Sequence, residues 1–127
     1  MTIHVKRIYE NAGEDGFRIL VDRLWPRGIS KERASLDLWL KEIGPSAALR
    51  KSFHRGDIHF QEFKARYDQE LNSGKQREAY EKLKQIAMSK EDVTLLFAAK
   101  DETHNQAQVL KEKLEKDLHQ RSADEFA

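Results

Sequence analysis

Residues 17–28 read Phe17-Arg18-Ile19-Leu20-Val21-Asp22-Arg23-Leu24-Trp25-Pro26-Arg27-Gly28, an apolar run followed directly by a charged loop. Ile19-Leu20-Val21 is continuous, short and rich in strand formers, which predicts a strand buried on both faces within a parallel sheet. Pro26 and Gly28 end it. Asp22, Arg23, Trp25 and Arg27 then fall at the strand's carboxyl end, where open α/β sheets form their ligand crevices.

On the amino-terminal side, Ile3 and Val5 alternate with polar residues and predict a strand over about residues 2–9, broken by Asn11-Ala12-Gly13-Glu14-Asp15-Gly16. On the other side the period lengthens. Leu36, Trp39, Leu40 and Ile43 predict a short amphipathic helix, with Ser30 or Ser35 as cap and Gly44-Pro45 as its stop. Ser46 caps a second helix carrying Leu49 and Phe53, and Asp57 is the expected cap of a third. Phe60, Phe63, Tyr67 and Leu71 lie on one stripe of that third helix, expected to end at Gly74 and to pack in the core. Ala79, Tyr80, Leu83, Ile86 and Ala87 predict a helix over 75–89 that pairs with its predecessor against the sheet. Residues 93–98 predict another buried strand. A last helix carries Ala107, Leu110, Leu114 and Leu118, capped by Asp101 or Thr103. The expected architecture is a single α/β domain over residues 1–120, a small, largely parallel sheet flanked by helices, with a frayed tail over residues 121–127.

Composition bounds the chemistry. The 127 residues carry a formal net charge of +1, which argues against a strongly basic nucleic-acid binder. Residues 1–66 nevertheless hold a net +4 and residues 67–127 a net -3, so an anion-binding surface draws on the first half. With 0 cysteines, disulfides, thiolate nucleophiles and thiolate metal sites are excluded. The amino-terminal residues contain no apolar signal segment, and no stretch is apolar enough for a membrane helix, so a cytoplasmic protein is expected.

If strands 17–22 and 93–98 are parallel neighbours, their following loops meet at one sheet edge. Arg23, Arg27 and Lys100 would hold a negative charge there, His104 and Asn105 would add polar groups, and Trp25 would supply a stacking wall. Asp22, His54 and Asp101 are the candidates for proton transfer. Each has a plainer role as well: Asp22 neutralising Arg23 or Arg50, Trp25 as a core lid, His54 as a cation at a helix carboxyl end. The histidines have no metal-ligand spacing, and no Walker loop, dinucleotide fingerprint, nucleophile elbow or HExxH helix occurs. No metal or cofactor is expected.

Lys6-Arg7-x-Tyr9, Arg18 to Gly28 with its Asp-Arg-Leu-Trp-Pro-Arg-Gly core, Trp39-x-Lys41-Glu42, Pro45-Ser46-x-x-Leu49-Arg50-x-x-Phe53-His54, Tyr67-x-x-Glu70-Leu71 and Thr94-Leu-Leu-x-x-Ala-Lys100-Asp101 with Asn105-x-Ala107 together resemble the YeaO-like branch of domain of unknown function family 488. The resemblance covers about residues 3–118. It implies a small parallel α/β fold with the two loops close together, and it implies no activity. Longer members of the wider family look as if they carry a cysteine at the end of the third strand and a Cys-His-Arg at the next helix start. Here those places read Phe97-Ala98-Ala99-Lys100 and His104-Asn105-Gln106, so no thiol role carries over.

Three functional readings are open to such a chain. The first is a crevice for a small anionic, phosphate-bearing ligand, which, if catalytic, would run metal-independent phosphoryl or glycosyl chemistry. The second is a nucleic-acid-associated regulator in which Trp25 stacks on a base. The third is an interaction or structural module without catalysis. Oligomeric state is left open.

Overall fold

A computed structural model describes residues 2–126, with side chains described through His119. Strand β1, Thr2–Arg7, is followed by β2, Phe17–Leu20, then by the short helix α1, Lys31–Ala34, and by a two-residue strand β3, Leu38–Trp39. A 3-10 turn, Lys41–Ile43, leads into α2, Ala47–His54, α3, Phe60–Glu70, and α4, Gly74–Ser89. Strand β4, Asp92–Phe97, and helix α5, Gln106–Phe126, complete the chain. The fraying expected over residues 121–127 concerns side chains, and at Ala127 a backbone, outside the described residues.

The four strands run in the order β1-β4-β2-β3, and every pairing is parallel. Ile19, Leu20 and Val21 are all 0% exposed, as a central strand requires. Their alternation splits the interior in two. Ile3, Ile19, Val21, Val93, Leu95 and Phe97 join Phe63 and Tyr67 of α3, Leu83 and Ala87 of α4, and Leu110 and Leu114 of α5 in the main core. Leu20 and Leu96 face the other way, onto Ile8, Ile29 and Ala34, with Trp25 and Trp39 packed alongside.

The helix expected over the stretch carrying Leu36, Trp39, Leu40 and Ile43 does not form as one piece. Ser30 caps α1 as a helix start, but Ser35 adopts a left-handed φ of 48° and ends it after one turn. Leu38 and Trp39 then extend to pair with Ile19 and Leu20, and the Leu40 N–H reaches the Leu20 carbonyl at 2.9 Å. A sheet edge with unfilled backbone groups outcompetes a helical spacing of four apolar residues. Three smaller expectations change as well. His59, not Asp57, stands at the amino-terminal cap of α3, Gly74 opens α4 instead of ending α3, and Asn105 caps α5 in place of Asp101 or Thr103.

Candidate ligand crevice at the strand carboxyl ends

Past Leu20 the chain stays in register for one more residue, with the Val21 N–H on the Leu96 carbonyl at 3.0 Å. Asp22 therefore emerges beside the end of β4. One of its carboxylate oxygens accepts the Ala98 N–H at 2.9 Å, and the other accepts the side-chain amide of Gln106, the first residue of α5. Its backbone carbonyl takes the Trp39 indole N–H at 2.7 Å. One aspartate thus ties together the ends of β2, β3, β4 and α5. Burial pushes its carboxyl up from an ordinary 3.8 to about 6, against the opposing pull of the Ala98 and Gln106 donors and the Arg50 charge.

Arg23 turns the opposite way. Its Nη2 and Nε donate to the carbonyls of Gly44 and Pro45 at 2.7 and 3.2 Å, so much of its fork anchors the loop before α2. Gly44 also lets the Arg23 backbone pass close by, since a β-carbon there would stand 3.0 Å from the Arg23 backbone nitrogen. The same loop is braced from behind: Glu70 accepts the Ser46 N–H and hydroxyl, and Gln76 donates to the Gly44 carbonyl and to Glu70.

Trp25 closes its own loop by donating to the Ile29 carbonyl at 2.8 Å, and its ring meets Trp39 edge-on with centroids 5.3 Å apart. Gly28, at φ 73°, makes the turn between them possible. Arg27 is exposed and its guanidinium has no partner among the described residues, while its carbonyl accepts the Tyr9 hydroxyl at 3.0 Å.

On the facing loop, Arg7 donates to the Ala98 and Ala99 carbonyls at 3.1 and 2.9 Å, fixing the strand end. Lys100 is exposed and without a partner among the described residues. Asp101 accepts the N–H groups of Thr103 and His104 and the Thr103 hydroxyl, and these bonds hold its carboxyl down at about 2. His104 rests its ring on Phe60, centroids 4.7 Å apart, with Nδ1 3.3 Å from Asp101. Asn105 is 1% exposed: its side-chain oxygen accepts the Gln108 N–H at 3.0 Å, and its amide donates to the Asp101 carbonyl at 2.9 Å.

Helix α2 supplies the third wall. Phe53 stacks on Phe63 at 4.5 Å, exposed His54 lies at the helix carboxyl end, and Arg50 lies one turn earlier. The Arg50 side chain makes no hydrogen bond with any described residue, and its Nε is shut away from solvent.

These elements enclose a cavity of about 660 Å³, within the range of small-molecule sites. Asp22, Arg23, Trp25, Arg27, His54, Lys100, Asp101, His104 and Asn105 all line it. The sequence does not single out Gln106, Tyr9 or Phe53, and it offers Arg50 only as a charge partner for Asp22. The signal for Arg50 lies in its i, i+4 spacing to His54, which puts both on one helix face. No cluster of three or more potential metal ligands occurs among the described residues. No helix among them is long and apolar enough to cross a membrane.

Fold and cavity together define a small parallel α/β protein with a crevice at the strand carboxyl ends. The chain belongs to the family described as the inactive DUF488-N3 subclade, whose model matches residues 2–127. Uncharacterized protein YeaO of Escherichia coli K12 is 48% identical over 111 residues, covering 87% of this chain and 94% of the relative. Uncharacterized proteins Rv3073c of Mycobacterium tuberculosis H37Rv and Mb3100c of Mycobacterium bovis are each 42% identical over 71 residues, covering 55% of this chain and 60% of their own. No solved structure matches the chain.

Proposed function

We propose that the crevice binds a small anionic, phosphate-bearing ligand and acts as a binding site without turnover. The observation that carries this reading is the charge balance of the cavity. Its lining has four cationic side chains, Arg23, Arg27, Arg50 and Lys100, against two carboxylates, Asp22 and Asp101. Both carboxylates accept hydrogen bonds from the protein's own donors, whereas the side chains of Arg27, Lys100 and Arg50 have no hydrogen-bonding partner among the described residues. Unspent cations around a concave, partly apolar surface attract an oxyanion. The description of the subclade as inactive favours binding over catalysis, as does the Ala98-Ala99-Lys100 strand end, where longer members of the wider family look as if they carry a cysteine.

Thermal unfolding with a panel of phosphate monoesters tests the reading. Wild type is expected to rise in Tm with at least one compound, and the Arg27→Ala, Lys100→Ala double variant to lose most of that rise at moderate salt. A panel that leaves wild type unmoved would reject it.

A further inference from the structure

Arg50 stands apart from the other cations of the crevice. Arg27 and Lys100 are exposed at the mouth, where water satisfies their donors, and Arg23 is largely committed to the Gly44 and Pro45 carbonyls. Arg50 is only partly exposed, and its Nε–H is removed from water with no acceptor. A guanidinium keeps its charge at any physiological pH, so it cannot relieve that situation by losing a proton. The backbone that carries it is fixed. Helix α2 is fixed at its start by Ser46, whose hydroxyl accepts the Leu49 N–H and is itself held by Glu70, and the Arg50 N–H is bonded to the Ser46 carbonyl at 2.9 Å.

Asp22 is coupled to Arg50 through space but makes no contact ion pair with it. Both Asp22 oxygens already accept other donors, from Ala98 and Gln106. The cavity lining therefore includes a charged, donor-only group whose side chain lacks an acceptor among the described residues. Buried donors are rarely left so in proteins unless something else completes them. Around it the walls are flat and apolar: Trp25, locked by its bond to Ile29 and its contact with Trp39, Pro26, and the Phe53–Phe63 stack.

We propose that Arg50 is the inner anchor of the crevice, receiving through its Nη donors the terminal oxyanion of a ligand whose planar apolar body lies along Trp25 and Phe53. This rests on the anion-binding reading and adds to it the direction of entry, anionic end first, and the shape of the ligand body behind that end. A phosphate monoester and a carboxylate share this chemistry, and a two-oxygen edge of either matches a guanidinium fork.

The test uses the full chain, labelled with nitrogen-15, and follows arginine Nε–H resonances by NMR during titration with phenyl phosphate, benzoate and inorganic phosphate. The Arg50 signal is assigned in wild type by through-bond correlation to its own backbone amide, and checked by its disappearance in Arg50→Lys. The Arg50 Nε–H is expected to shift with phenyl phosphate, benzoate or both, saturating together with backbone amides of residues 22–27, and the one that binds more tightly identifies the oxyanion. Arg50→Lys keeps the charge but not the fork, and is expected to weaken the tighter ligand by roughly tenfold or more. Inorganic phosphate is expected to bind more weakly than phenyl phosphate; equal affinity would overturn the planar body. If phenyl phosphate or benzoate binds while the Arg50 resonance stays still and Arg50→Lys binds like wild type, the anion sits at the mouth. In that case the inner anchor is wrong and the anion-binding reading stands. If none of the three perturbs wild type at about 10 mM, both fall. The wild-type titration decides the matter even if the variant folds poorly.

Discussion

Asp22 shows how one side chain can serve the fold and oppose it. Its carboxylate joins the ends of β2, β4 and α5, yet burial raises its pKa to about 6 from an ordinary 3.8. Between those values the folded chain holds a proton that the unfolded chain has released. Stability from this group is therefore complete below about 3.8 and falls as pH rises through about 6. The loss at neutral pH is on the order of 2 to 3 kcal/mol. Asp22→Asn keeps an acceptor for the Ala98 N–H and removes the titration. Its stability relative to wild type, from urea unfolding, is expected to grow by about 2 kcal/mol between roughly pH 4 and pH 7. Parallel pH profiles for the two proteins would show that no buried ionisation is at stake. Asp15 and Asp101, both held below the usual carboxylate range, act with the opposite sign at more acidic pH and cancel in the comparison. At this scale the sequence was readable where chemistry follows residue type: Asp22, Arg27 and Lys100 stand out as charged groups after strands. It was not readable where a partner decides the role. That Arg23 turns to two carbonyls and Arg50 to none depends on where the loop at 44–46 and helix α2 come to lie.

Helix α5 begins at Gln106, and its start illustrates how a cap is chosen. The stretch Asp101-Glu102-Thr103-His104-Asn105 offers several residues able to cap, and local sequence does not rank them. The chain makes two turns here. Asp101 serves the first, through the Thr103 and His104 N–H groups, and Asn105 serves the second, through the Gln108 N–H. Asn105 also braces one turn against the other through the Asp101 carbonyl. Because it is buried, Asn105→Ala is expected to cost about 1 to 2 kcal/mol in chemical denaturation and to speed amide exchange over residues 101–108. A cost within a few tenths would mean that water replaces the cap. The long elements were legible because their apolar spacing spans several turns: α3, α4, α5 and the strands at 17–20 and 92–97 all match the pattern. Strand β3 was not, since two residues cannot display a period, and Leu38 and Trp39 also fit the helical spacing of their neighbours.

At the scale of the whole molecule, the strand order sets the crevice. Placing β2 beside β4 brings the loops after both strands to the same edge, and the edge strand β3 carries the chain back so that α2 rises across from them. The cationic first half thus contributes Arg23, Arg27 and Arg50, and the acidic second half contributes Lys100. The convergence of the two loops could be expected from two buried parallel strands. The third wall could not, because it depends on β3. The chain has 2 tryptophans, and both lie at this edge, in contact at 5.3 Å with their planes 71° apart. The protein therefore contains its own optical probe at this edge. Coupled indoles at that distance are expected to give an exciton couplet in circular dichroism, lost in both Trp25→Phe and Trp39→Phe; a couplet surviving either change would mean that the rings do not touch. Since Trp39 also holds the Asp22 carbonyl, tryptophan emission can be read as a light signal from the edge of the crevice, without any attached dye.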